Sequence, residues 1–293
     1  MQRRSFLVYM GLAYVIFTWS LNVVLVKRVI GHIDPLAFTG MRFLAMAPLA
    51  VALAYVRKEP LRVDLRDLPL LLLCGACGYG VYQYLWVIGL AHTTPFASAL
   101  LGSTTPIITL TIVAGLGHER VRSGRWLAAL VAFVGVAIFE GAFSGNFMVR
   151  IGDVLTFMAA AVFAIYNVAS ARLLARYSPL SLLALTIVLG TAIILPGAVP
   201  RMLHMRLSDF SLADWAIYAY AVLFPIVLTY PVWSYGITQL GAGRTSLFQF
   251  ALPIVTGVLS IALLRTPIAG YQVAGAAVCI GGMALAQILG RVS

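Results

Sequence analysis

The sequence predicts an all-α integral membrane protein: ten transmembrane helices in two inverted five-helix repeats, with both termini cytoplasmic. Three observations carry that prediction. Of 293 residues, 62% are hydrophobic and only 10% are charged, whereas a soluble domain is about a quarter charged. Apolar stretches able to cross roughly 30 Å of hydrocarbon recur along the whole length. Finally, residues 84–137 align without a gap on 231–284, an offset of 147 that pairs Trp86 with Trp233, Gly89 with Gly236, Pro106 with Pro253 and Gly135 with Gly282. Internal repeats of apolar helices are a signature of membrane carriers with a site between the repeats.

The predicted spans are 7–30, 35–56, 68–91, 95–117 and 124–143, then 152–173, 179–200, 213–238, 244–264 and 268–289. Connections are short, so residues 1–145 and 146–293 are two halves of one membrane domain. With the amino terminus inside, the inner loops hold Arg3, Arg4, Arg57, Lys58, Arg62, Arg66, Arg120, Arg122, Arg125, Arg172, Arg176, Arg244 and Arg291. Only Lys27, Arg28, Arg150, Arg201, Arg206 and Arg265 then fall outside, as the positive-inside rule requires. An odd number of spans per half makes the second half enter from the opposite face. The net charge of +11 follows from this topology and from attraction to anionic lipid. It is scattered over many loops and forms no basic stripe, which argues against nucleic acid. Met-Gln-Arg-Arg precedes an apolar run too long for a cleaved signal, so this run is expected to stay as the first helix.

Several spans carry polar or aromatic faces. Span one places Trp19 and Asn22 one turn apart. Span two holds Arg42, expected to snorkel toward the outer surface, with Glu140 as an alternative partner. In span three Tyr79, Tyr82, Gln83 and Trp86 fall at i, i+3, i+4 and i+7, one helical face. Span six repeats that spacing with Phe163, Tyr166, Asn167 and Ser170. Buried amides are poorly placed against lipid, so both faces are expected to look inward. Ser98, Ser103, Thr104 and Thr105 in span four either bond back to their own helix or face a polar cavity. Tyr9, Trp126, Trp215 and Tyr218 suit the membrane–water belts.

Other residues bend or pack the helices. Proline frees the carbonyl four residues earlier: Pro106 frees Gly102, and Pro253 frees Gln249 at the equivalent place in span nine. Span eight adds Pro225 and Pro231. These are static kinks or bends that move with the cavity. Gly75, Gly78, Gly80, Gly275, Gly281 and Gly282 suit helix-packing seams. Cys74 and Cys77 have CxxC spacing but no second pair or nearby His, so they are expected to be packing thiols. No metal or cofactor motif occurs. No Asp or Glu lies at mid-span, so a carboxylate proton relay has no carrier. His118–Glu119, and His32 with Asp34, are isolated pairs without the spacing of a hydrolytic centre. An enzyme acting on lipid-linked substrates is therefore a remote alternative.

Trp19-Ser-Leu-Asn22-Val-Val-Leu-Val-Lys27-Arg28 followed by Pro35-Leu-Ala-Phe-Thr-Gly-Met-Arg42-Phe43 resembles the first two helices of the drug/metabolite transporter superfamily, EamA-type. Gly89 through Pro106-Ile resembles its fourth-helix signature, and Gly241 through Thr256 the second copy. The resemblance implies ten helices in two inverted repeats around a cavity bounded by spans one, three, four, six, eight and nine, with five and ten peripheral. The aromatic interior looks most like the YddG-type exporters of aromatic amino acids. It implies a secondary transporter of the bacterial inner membrane that exports small amphipathic metabolites by alternating access, with other amino acids, metabolites or drugs as alternative cargo.

The expected substrate contacts are Trp19, Asn22, Tyr79, Tyr82, Gln83, Trp86, Ser103, Phe163, Tyr166, Asn167, Trp233 and Gln249. Pro106, Pro253, Pro225 and Pro231 are the expected gating kinks. Aromatic rings could stack on a side chain or hold an organic cation, while the amides could bond a carboxylate and an amine. The expected partners are a small solute and membrane lipid, and one chain with both halves suffices as a monomer.

Overall fold

The computed structural model describes residues 2–117, 123–139, 141, 150–264 and 270–291. Among them every regular element is helical. Helix α1 (Gln2–Val29) is followed by α2 (Pro35–Val56), α3 (Leu68–Gly75), α4 (Val81–Ala91), α5 (Pro95–Gly102), α6 (Thr105–Gly115) and α7 (Ser123–Phe139). The second half holds α8 (Ile151–Leu173), α9 (Pro179–His204), α10 (Leu212–Val222), α11 (Thr229–Leu240), α12 (Ala242–Ser246), α13 (Leu252–Leu264) and α14 (Gly270–Arg291). Seven helical stretches among the described residues are long and apolar enough to cross a membrane, and three shorter apolar ones are Thr105–Gly115, Trp126–Gly135 and Val273–Gly282.

Local chemistry sets the helix starts. Asp34 Oδ1 accepts the Leu36 and Ala37 N–H groups at 2.9 Å, and Pro35, which lacks an N–H, stands in the first turn where none is needed. Ser178 and Pro179 repeat this device at α9, with the Ser181 N–H donating to Ser178 Oγ at 3.1 Å. Ser211 and Asp214 form a capping box on α10.

Four predicted spans are interrupted, in matched pairs. The third contains a π-helical segment, Ala76–Gly80, and the eighth contains another, Leu223–Leu228. The offset of 147 superposes the two. In the fourth, the α-helix stops at Gly102 and restarts at Thr105. In the ninth, a 3-10 segment at Leu247–Ala251 precedes α13. Pro106 and Pro253 explain these last two breaks, since neither can donate to the carbonyl four residues back. The Leu252 N–H takes up the freed Gln249 carbonyl in the tighter 3-10 pattern.

Helix packing exchanges elements between the halves. α1 packs on α11 and α13, while α8 packs on α4, α5 and α6. α2 pairs with α9 and α7 with α14. The α2–α9 pair is antiparallel: Arg201 near the end of α9 bonds Asp34 before α2 at 3.0 Å, and Ser178 before α9 donates to Glu59 beyond α2 at 2.7 Å. α7 and α14 are antiparallel too. A Cβ on Gly135 would lie 2.3 Å from the Cys279 nitrogen, and one on Gly282 would lie 2.5 Å from the Ala132 nitrogen. Backbone contact this close, possible only with glycine, is how helices gain dispersion energy without a hydrophobic drive. Gly281 faces open space, so it has no part in that seam. Cys74, Cys77 and Cys279 are buried free thiols.

Candidate functional site

A cavity of about 90 Å³ lies at the meeting of α1, α2, α4, α5, α8, the second π-helical segment and the broken ninth stretch. That volume suits a small solute better than a drug-sized one needing roughly 300–1,000 Å³. Its aromatic side is built by Trp19, Tyr82, Trp86, Phe163 and Tyr230. Tyr82 and Phe163 are 4.9 Å apart between ring centroids, Trp19 and Tyr230 5.7 Å, and Trp19 and Phe163 5.8 Å at a near-perpendicular tilt. These separations match favourable ring pairing. The polar side is built by Asn22, Arg42, Gln83, Ser98, Thr105, Thr156, Gln249 and Thr256. Both residues whose carbonyls proline frees, Gly102 and Gln249, lie on the wall.

Of the residues singled out from sequence, the structure gathers Trp19, Asn22, Tyr82, Gln83, Trp86, Phe163 and Gln249 around this cavity. Tyr79, Ser103, Tyr166, Asn167 and Trp233 are buried elsewhere. Tyr79 and Tyr166 meet hydroxyl to hydroxyl at 3.4 Å. The Trp233 indole N–H donates to Asn167 Oδ1 at 3.0 Å. Asn22 and Asn167 thus differ: Asn22 Oδ1 is buried without a partner beside the cavity, and Asn167 Oδ1 is occupied. Of the prolines, Pro225 lies on the wall. Pro106 and Pro253 are buried just beyond the two helix breaks, and Pro231 is half-buried in α11.

Arg42 corrects the snorkelling expectation. It is fully buried and stands on the cavity wall, with α9 and α10 packed against α2 and its Nη2 turned to the Ala221 carbonyl of α10. Its suggested partner Glu140 lies outside the described residues, as do His118 and Glu119. His32 bonds Asp214 at 3.2 Å rather than Asp34, and Asp34 is occupied by capping and Arg201. Tyr218 is also no simple belt residue: its hydroxyl donates to the Met41 carbonyl at 3.1 Å. No group of three or more His, Cys, Asp or Glu among the described residues could hold a metal. Tyr230 and Arg42 were missed as site residues. The repeat carried a signal for Tyr230, which is the offset-147 equivalent of Gln83.

The fold is shared with known proteins. The EamA-like transporter family matches residues 6–140 and again 150–287. The chain belongs to this family. YyaM of Bacillus subtilis (strain 168), an uncharacterised transporter, is 29% identical to this EamA protein over 286 residues, 95% of this chain and 92% of its own. A probable terminal-alkyne amino-acid exporter of Streptantibioticus cattleyicolor is 28% identical over 85% of this chain and 83% of its own. The aromatic amino acid exporter YddG of Ancylobacter novellus is 22% identical over 94% and 95%. A crystal structure at 19% identity superposes with a TM-score of 0.78 over 97% of both chains, a likeness of fold. This EamA protein is therefore a multi-pass transporter of the inner membrane, not an enzyme.

Proposed function

We propose that the chain is a secondary transporter that exports small amphipathic amino acids, aromatic ones foremost, by alternating access. Its ten spans form two inverted five-helix repeats, and both termini are cytoplasmic. The observation that carries this reading is the cavity itself: rings and unpaired polar atoms from both halves meet between helices broken at matched places. The reciprocal antiparallel contact of Gly135 with Cys279 and of Gly282 with Ala132 supports inversion, since a two-fold axis across the helices produces such swapped pairs. The names of the relatives, two of them amino-acid exporters, support the cargo class. Trp19, Tyr82, Trp86, Phe163 and Tyr230 stack on the solute, while the α5–α6 and α12–α13 breaks are the bends that swing.

The test is uptake of radiolabelled phenylalanine, tryptophan and threonine into proteoliposomes, with and without an imposed pH gradient. Saturable uptake of the aromatic solutes above that of threonine supports the reading, and acceleration by the gradient assigns proton coupling. Uptake equal to empty liposomes for all three, with folded protein, removes it.

A further inference from the structure

Among the residues that line the cavity, Arg42 is the one that carries a charge. Its Nη2 reaches only the Ala221 carbonyl, at 3.4 Å, and its guanidinium carbon stands 5.7 Å from the Phe38 ring centroid. Nε and Nη1 are buried with no hydrogen-bond partner. The ion pairs among the described residues are His32–Asp214, Arg176–Asp67 and Arg201–Asp34, none of which involves Arg42. A guanidinium stays protonated in proteins, and taking it out of water without an anion is strongly unfavourable. A solute anion would supply the missing partner through charge-assisted hydrogen bonds, the strongest kind available here.

The same cavity carries the complementary set. Asn22 Oδ1, Gln83 Oε1 and Gln249 Oε1 are buried acceptors with no donor, and all three residues line the wall. An ammonium has three N–H donors and no acceptor, so it matches these oxygens as a carboxylate matches Arg42. We infer that Arg42 is the carboxylate anchor of the site, with the three amide oxygens receiving the substrate ammonium. The inference rests on the transport reading above and narrows it: the cargo must carry a carboxylate, and amines or cationic drugs of the same shape are rejected by the guanidinium.

The experiment compares phenylalanine, 3-phenylpropionate, phenylalaninamide and phenethylamine as competitors of phenylalanine uptake, and as ligands of purified protein by tryptophan fluorescence. For wild type the expected order is phenylalanine first, 3-phenylpropionate second, and the two amines at least tenfold weaker than phenylalanine. Arg42→Gln is expected to weaken phenylalanine by about 10- to 100-fold, the worth of a hydrogen bond to a charged group, and to strengthen phenethylamine, which no longer meets a like charge. Arg42→Lys, which keeps the charge, is expected to fall between. The ligand series on wild type decides the matter if Arg42→Gln does not fold. Wild type that carries phenylalanine but accepts phenethylamine equally well overturns the anchor alone, as does a folded Arg42→Gln protein with undiminished affinity. Wild type that carries no amino acid overturns the transport reading. In that case 3-phenylpropionate binding that is lost in Arg42→Gln still supports the anchor, and binding that is absent or unchanged removes it.

Discussion

The Trp19 indole N–H donates to the Pro225 carbonyl at 2.8 Å. Its counterpart in the other half is the Tyr230 hydroxyl, which donates to the Gly78 carbonyl at 3.2 Å. The two acceptors are 147 residues apart, each inside a π-helical segment. A π-turn disturbs the regular ladder, and within a membrane a displaced carbonyl must be met by protein or a wet cavity. Two cavity aromatics thus hold two irregular helices, which links the shape of the site to the breaks around it.

Replacing Trp19 with Phe keeps a ring but removes the donor. The buried Pro225 carbonyl then loses that donor, at a cost of about 1–3 kcal/mol. Thermal unfolding in detergent should show a lowered Tm, and Trp19→Phe should weaken aromatic uptake more than Tyr9→Phe, because Tyr9 stacks on Phe248 away from the cavity.

The two asparagines separate stability from binding. Trp233→Phe strips Asn167 Oδ1 of its donor when Asn167 Nδ2 already lacks a partner, so it is expected to destabilise by about 1–3 kcal/mol. Asn22→Leu removes an amide oxygen that has no partner. It is expected to leave Tm unchanged or raised while lowering phenylalanine uptake. Tm and uptake measured on both variants check the contrast.

Gly282→Val drives a side chain into the Ala132 backbone and is expected to cost about 1–3 kcal/mol or more. A Cβ at Gly281, one residue earlier, meets nothing within 4 Å, and valine is the better helix former of the two, so Gly281→Val is expected to leave stability unchanged or slightly raised. Tm should fall for the first alone, with phenylalanine affinity retained in both, since α14 contributes nothing to the cavity wall.

Lys27 Nζ donates to the Leu90, Ala91 and Thr93 carbonyls at 2.6, 3.2 and 2.8 Å. It closes the carboxyl end of α4 with a cation, where the helix dipole favours one. Lys27→Met should free that end of α4 from α1, and hydrogen exchange should rise in a peptide spanning residues 88–94.

The faces of the helices were legible in the sequence, but their depth was not. On α8 the spacing of Phe163, Tyr166 and Asn167 named the right face. The cavity, however, lies along Thr156, Ala159, Ala160 and Phe163 of that face, and Tyr166 and Asn167 continue past it into Tyr79 and Trp233. Tyr79 was misplaced for another reason: it sits in the π-helical segment, where a period of 3.6 residues no longer tells where a side chain points. Arg42 carries no sign of its fate in the sequence, because burial depends on α9 and α10, more than 130 residues away.

Composition and residue order are enough to give the class of the protein: helical, membrane-spanning, self-similar at an offset of 147, and bent where Pro106 and Pro253 stand. Those properties follow from transfer of apolar segments to lipid and from the missing proline N–H, both of which act locally along the chain. Which polar groups stay unpaired, and where the cavity ends, are settled by the packing of helices distant in sequence. That outcome depends on whether a distant helix supplies a partner, as Trp233 does for Asn167 and as no described residue does for Asn22 Oδ1.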